Sequence, residues 1–147
     1  MKNKKEVTER SFNPSQLSGF DGMYSIQLPI DFIHDLSKAD SLQAALDIIA
    51  YWISHVFDAD RASITLQDTE EYLKLYSISG NHAIPMDFKI PIGQTFVGRV
   101  FAQSQLIICD DLAQSNELDC QMLAEHGMGS CMDAPMFLPG VSTGSLN

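Results

Sequence analysis

The stretch D-S-L-Q-A-A-L-D-I-I-A-Y-W-I-S-H-V-F, residues 40–57, decides how this chain folds. Leu42, Leu46, Ile49, Ala50, Ile53, Val56 and Phe57 recur mainly at three- and four-residue spacing, the period of one helix face. Asp40 followed by Gln43 fits a capping box, in which the aspartate accepts a backbone N–H and the glutamine reaches back. The spacing predicts a core-facing helix over residues 41–57. A second stripe, Ile48, Tyr51, Trp52 and His55, flanks the first. Apolar character that wide predicts burial on two sides, against a sheet and against a partner helix.

Upstream, Pro29 suits a first helical turn, and Ile30, Ile33 and Leu36 predict a short helix over residues 29–38. Residues 1–24 hold no sustained period and carry Pro14, Gly19 and Gly22. They read as a mobile leader or linker, with one domain over residues 25–147.

Downstream the period changes to two. Ala62, Ile64 and Leu66 alternate with Ser63, Thr65 and Gln67, which predicts a half-buried strand. After a polar link over residues 68–71, Leu73 and Leu75 oppose Lys74, Tyr76 and Ile78 in a second strand that ends at Gly80. Phe88–Ile92 predicts a strand that Pro91 confines to a sheet edge or to its own end. Gly93 breaks it, and Thr95 caps a short helix whose apolar side is Phe96, Val97, Val100 and Phe101. Leu106–Cys109 is a buried strand running into Asp110 and Asp111. Ser115 or Asn116 caps a helix with Leu118, Met122 and Leu123 inward, closed by Gly127 and Gly129. Ser130–Leu138 is a further strand, Pro139–Gly140 with Ser142–Gly144 a turn, and Ser145–Asn147 the start of one more strand. A hairpin with only its first half leaves an unpaired edge, so the chain reads as truncated or completed by another chain.

Composition narrows the function. The 147 residues, 45% of them hydrophobic, fit one domain with one core. No apolar run approaches the roughly 20 residues of a membrane span, and no signal-peptide core follows the basic start. The expectation is a cytoplasmic protein with no membrane partner. Residues 1–10 hold four of the nine basic residues, so the body is more acidic than the overall charge of −10. Such a body repels phosphate backbones and predicts no nucleic-acid partner. Cys109, Cys120 and Cys131 lack metal-ligand spacing and form an odd set; they read as reduced, buried thiols. His34, His55, His82 and His126 are likewise scattered, with His55 a packed interface residue and His126 favouring a helix C-terminus.

The order of helices and strands resembles that of a GAF domain. So do Asp58–Leu66 (DADRASITL), Ile90–Val100 (IPIGQTFVGRV), Leu106–Leu112 (LIICDDL) and Glu125–Pro135 (EHGMGSCMDAP). The resemblance covers residues 26–147 and implies an α+β fold. Long helices lie on one face of an antiparallel sheet, and short helices and loops cover a ligand pocket on the other. The family goes on to complete the last strand and add a C-terminal helix. The resemblance also implies a non-catalytic sensing module of a larger signalling protein, a cyclase, diguanylate cyclase or histidine kinase. Such a module dimerises through its N-terminal helices and acts on an output domain in cis.

Candidate pocket residues on this view are Phe88, Thr95, Phe96, Arg99, Asp111, Cys120, His126 and Met132. Arg99 is a lone cation near a helix start, able to fix an anionic ligand or to form a surface salt bridge. No metal or catalytic residue is expected, and the cofactor is unknown. Haem is not expected, since no histidine stands out as its ligand. Nor is covalent bilin, since Gln121 follows Cys120 where bilin-binding relatives have histidine. The cyclic-nucleotide pattern of other relatives has no counterpart here. Adjacent Asp110 and Asp111 point to opposite faces of a strand and make no acid–base pair. Gly93 and Gly98 lack the Lys-Ser/Thr ending of a phosphate loop. The methionines Met122, Met128, Met132 and Met136 read as core filling.

Two alternatives stay open. One is free methionine-R-sulfoxide reductase, a stand-alone enzyme of the same fold with three cysteines. Its attack on the sulfoxide needs a thiolate and a resolving thiol, and this chain has Val97 and Ala124 at two of the required positions. The other is a module that serves dimerisation only.

Overall fold

In the computed structural model, residues 9–13, 27–138 and 141–147 are described. The elements, in chain order, are β1 (Glu9–Phe12), α1 (Ile30–Ser37), α2 (Leu42–Val56), β2 (Arg61–Gln67), β3 (Tyr72–Gly80) and β4 (Lys89–Pro91). There follow α3 (Phe96–Gln103), β5 (Leu106–Cys109), α4 (Leu118–Glu125), β6 (Cys131–Leu138) and β7 (Val141–Leu146). The strands form one antiparallel sheet in the order β1-β5-β6-β7-β2-β3-β4.

α2 lies across one face of that sheet, as its stripe requires. Leu46 and Ala50 pack on Ile64, with Leu66, Tyr76, Met136 and Leu146 around them. The helix cap differs from the expectation. Ser41, not Asp40, is the cap, and its Oγ accepts from Ala44 N at 3.1 Å. A serine hydroxyl one residue later reaches the third helical amide. Gln43 instead donates to Asp47 Oδ1 and to the Tyr76 carbonyl. The second stripe packs on α1: Trp52 lies 6.1 Å from Phe32, ring to ring, and its Nε1 donates to Asp35 at 2.9 Å.

The β2–β3 pairing slips by one residue beside Ile64 and Thr65, so Tyr76 is an extra residue on β3. The bulge turns Ser77 toward α2, where its Oγ donates to Asp47 at 2.6 Å. It returns Ile78 to the side of Leu73 and Leu75, opposite to the simple alternation expected. β4 pairs only with β3, with Pro91 opposite Tyr72 at the sheet edge, as Pro91 demands.

Two strands correct the sequence reading. Glu9–Phe12, assigned to the leader, pairs with β5 from Glu9–Cys109 to Phe12–Leu106. Residues 1–8 and 14–24 of that leader lie outside the described residues. The last strand begins at Val141, not Ser145, and pairs with both β6 and β2 in the middle of the sheet. The hairpin is therefore closed and leaves no half-finished edge. Ser142, Thr143 and Gly144 had the composition of a turn. Gly144 is needed for a different reason, since a Cβ there would collide with the Thr65 carbonyl oxygen.

Candidate functional site

The face opposite α2 is covered by α3, α4 and their loops, and it is built around the turn at residues 91–98. Pro91 leads into a single 3-10 turn, and Thr95 caps α3: its Oγ1 accepts from Gly98 N at 3.1 Å and donates to the Pro91 carbonyl at 2.7 Å. Gly98 sits so close to Ile92 that a Cβ would meet its backbone carbonyl and Cα. The first two helical amides go to Asp119 of α4. Phe96 N donates to Oδ1 at 2.8 Å and Val97 N to Oδ2 at 3.0 Å. One buried carboxylate thus fastens α4 to the start of α3, where the helix dipole favours negative charge. No side chain caps α4 itself: Glu117 occupies that position, and Ser115 Oγ accepts from Glu117 N.

Between this layer and the sheet lies a cavity of about 760 Å³. Its walls are apolar, from Leu75, Ile84, Ile90, Phe96, Val97 and Leu123. Its floor is polar. Ser63 and Thr65 of β2, which the alternation placed away from α2, are buried there, and Arg61, Asp133 and Asn147 join them. The lining also reaches Ile53 and Phe57 at the end of α2. Thr65 and Ser145 share a hydrogen bond of 2.7 Å, Ser145 donates to Asn147 Oδ1 at 2.6 Å, and Asn147 donates to Ser63.

The charges are unevenly served. Asp119 has three backbone donors, from Phe96, Val97 and Cys120; burial nonetheless raises its pKa. Asp133, buried at the cavity floor, is raised well above the ordinary carboxylate range, first by burial and then by the charge of Asp119. Arg61 donates to the Asn81 carbonyl, and burial lowers its pKa while Asp133 opposes that shift. Arg61 and Asp133 are not among the ion pairs of the described residues.

The three thiols, far apart in sequence, converge beside the cavity. Cys109 and Cys131 are cross-strand partners, and Cys131 packs against Cys109 and Cys120. Burial pushes Cys109 up to about 11, and the neighbouring Cys120 thiol together with burial raises Cys131. All three are free. Among the described residues no group of three or more His, Cys, Asp or Glu is arranged to hold a metal.

Of the residues singled out from sequence, Phe96, Cys120 and Met132 line the cavity. Phe88 packs behind it among Leu73, Ile84 and Ile90. Thr95 and Arg99 border a separate shallow depression on the outer side of α3. Arg99 is held there by Glu117 and Glu9, each at 2.8 Å. Asp111 precedes a 3-10 turn outside the lining, and His126 lies exposed at the end of α4, its Nδ1 2.9 Å from the Met122 carbonyl. Arg61, Asp119 and Asp133 were missed. The available signal was Asp133, a lone charge in the strand Cys131–Leu138.

A family model described as GAF domain matches residues 41–147. The chain belongs to the GAF-domain family. Solved GAF structures agree on the fold. The GAF domain of a phosphoenolpyruvate-protein phosphotransferase from Coxiella burnetii is 18% identical, with a TM-score of 0.68 over 80% of this chain and 71% of that one. Free methionine-R-sulfoxide reductase from Neisseria meningitidis, solved with its substrate, is 20% identical, with a TM-score of 0.65 over 84% and 78%. The GAF domain of a two-component sensor histidine kinase from Bacillus halodurans is 23% identical, with a TM-score of 0.54 over 83% and 75%. At such identities the likeness carries the fold alone. No curated protein matches the sequence significantly.

Proposed function

We propose that this GAF domain is a non-catalytic, small-molecule-sensing module of a larger cytoplasmic signalling protein. The observation that carries the proposal is the cavity between the sheet and the α3–α4 layer, apolar in its walls and polar at its floor. That is the usual make-up of a ligand site. A sensor histidine kinase and a methyl-accepting chemotaxis protein among the structural neighbours favour the same role. Among the described residues no helix is long and apolar enough to cross a membrane.

The route of the signal follows from α2. Ile53 and Phe57 line the cavity, while Leu42, Tyr51 and Phe57 of the α2 region and Ile30 and Ile33 of α1 are exposed. A guest that favours one position of the α2 end biases how these helices meet a second copy, and hence a linked output domain. A screen of small metabolites by thermal unfolding tests this. Compounds that raise the midpoint of the native chain and not of Ser63→Phe, which fills the floor, support the proposal; no hit in a broad screen overturns it.

The contact between Cys120 and Cys131 keeps the reductase reading in view, since that chemistry also needs two thiols in reach. Raised pKa values argue against it, because the thiolate is the nucleophile. Turnover of free methionine sulfoxide with a dithiol reductant would establish the enzyme, and its absence would leave the sensor.

A further inference from the structure

We propose that the cavity takes a small ligand carrying a protonated amine and that Asp133 is its counter-ion. This rests on the ligand-site reading above and narrows it to a chemical class.

Asp133 is 4% exposed and lines the cavity. Among the described residues, no N–H or O–H group donates to its carboxylate. Its oxygens are not sealed in protein but open onto the cavity, and a largely buried carboxylate without donors is costly and rarely left so. The donors nearby are directed elsewhere, although Arg61, with N–H groups to spare beyond the one on Asn81, still acts on Asp133 through its charge. The floor hydroxyls of Thr65 and Ser145 are bonded to each other and to Asn147, whose amide goes on to Ser63. Arg61 is anchored on the Asn81 carbonyl, and Phe96 N and Val97 N are taken by Asp119.

The balance of charge fixes the sign of the guest. Asp119 and Asp133 are the buried acids of the lining and Arg61 the cation beside them; nearer the surface Asp58, Asp60 and Asp110 outnumber Arg10, which is paired with Asp110. An anion placed in this cavity meets an excess of acids, whereas an ammonium group favours the ionised form of Asp133 that burial alone disfavours. Its N–H donors supply what Asp133 lacks, in a charge-assisted bond stronger than a neutral one. The body of such a ligand would rest against Phe96, Ile90 and Leu123. Asp133 interrupts a strand that is otherwise suited to packing, and an amine guest gives that interruption a use.

Three probes of one shape decide the matter: benzylamine, benzyl alcohol and benzoate, titrated calorimetrically at neutral pH into the whole chain and into Asp133→Asn. The proposal expects benzylamine to bind about tenfold or more tighter than the alcohol, with benzoate weakest. In Asp133→Asn the preference for the amine disappears while the alcohol still binds. Equal or tighter binding of the alcohol or the benzoate by the native chain overturns the amine claim and leaves the ligand-site reading intact. An unchanged amine preference in Asp133→Asn overturns the assignment of the counter-ion. Silence from all three overturns the amine claim, and the metabolite screen with Ser63→Phe then decides the ligand-site reading separately. The comparison of probes on the native chain stands even where Asp133→Asn does not fold.

Discussion

Asp119→Ala should be among the most destabilising single changes in this domain, and the structure says by how much. The substitution strips acceptors from Phe96 N and Val97 N at the start of α3. Asp119 is 4% exposed, so neither amide regains bulk water. A buried donor left without a partner costs about 1–3 kcal/mol, so two give about 2–6 kcal/mol. Asp119 also borders the cavity, and a water entering there would recover part of the loss. We therefore expect about 2–4 kcal/mol, a large share of the roughly 5–15 kcal/mol that holds a domain together. Asp119→Asn keeps one carbonyl acceptor and turns its amide toward Val97 N, a donor facing a donor; it should cost about half as much. Thr95→Val, which removes the cap on Gly98 N, should cost about 1 kcal/mol. Urea unfolding followed by the fluorescence of Trp52, the one tryptophan, reads the global transition from the α1–α2 contact, remote from the change. If the alanine variant lies within about 0.5 kcal/mol of the parent, against the range expected from unsatisfied donors, Asp119 does not fasten α3. If asparagine costs as much as alanine, the loss is not one of acceptors.

Other outcomes follow from the same contacts. Gly98→Ala places a methyl group on the Ile92 backbone, so it should lower the thermal midpoint by several degrees, while Gly93→Ala, with open space around it, should not. Stability should also depend on pH through Asp133, whose folded pKa lies well above the unfolded 3.8 under the burial and like charge described above. Its contribution is full below pH 3.8 and is lost as pH rises through the folded value. Asp119 acts with the same sign, and Asp133→Asn should flatten the fall in a series of urea titrations. Finally, Cys109 and Cys120 are fully buried and Cys109 is pushed up to about 11. A disulfide reagent at pH 8 should therefore label them only as fast as the domain opens, and rapid labelling of the native protein would contradict this burial.

Most of the architecture was legible because it rests on period. The stripe along the helix and the alternation in Arg61–Gln67 are set by which side of an element meets the core. Leu46, Ala50 and Ile64 pack where the spacing put them, while Leu42 and Phe57 at the ends of the stripe are exposed and Ser63 and Thr65 are buried against the second layer. What escaped was short or locally ambiguous. Glu9–Phe12 has four residues and two charges, and it is a strand only because β5 offers an edge. Ser142-Thr143-Gly144 suits a turn as well as a strand, and the contact of Gly144 with Thr65 decides between them. The Tyr76 bulge is a property of two strands together. The floor of the cavity was hidden for a related reason: Arg61, Asp119 and Asp133 belong to three elements that only the fold brings together. Phe96, Cys120 and Met132 were reached through the resemblance to the family rather than through period. Arg99 drew notice as a lone cation, yet its partners Glu9 and Glu117 lie 90 and 18 residues away.

The most direct test of a sensing role is native mass spectrometry of the protein as it leaves the cell, purified quickly and without dialysis. The account predicts a folded species heavier than the chain by one small molecule, lost on denaturation and absent from Ser63→Phe. A bare folded mass at every concentration, together with no compound that adds to it, would contradict the account and leave a domain that only pairs.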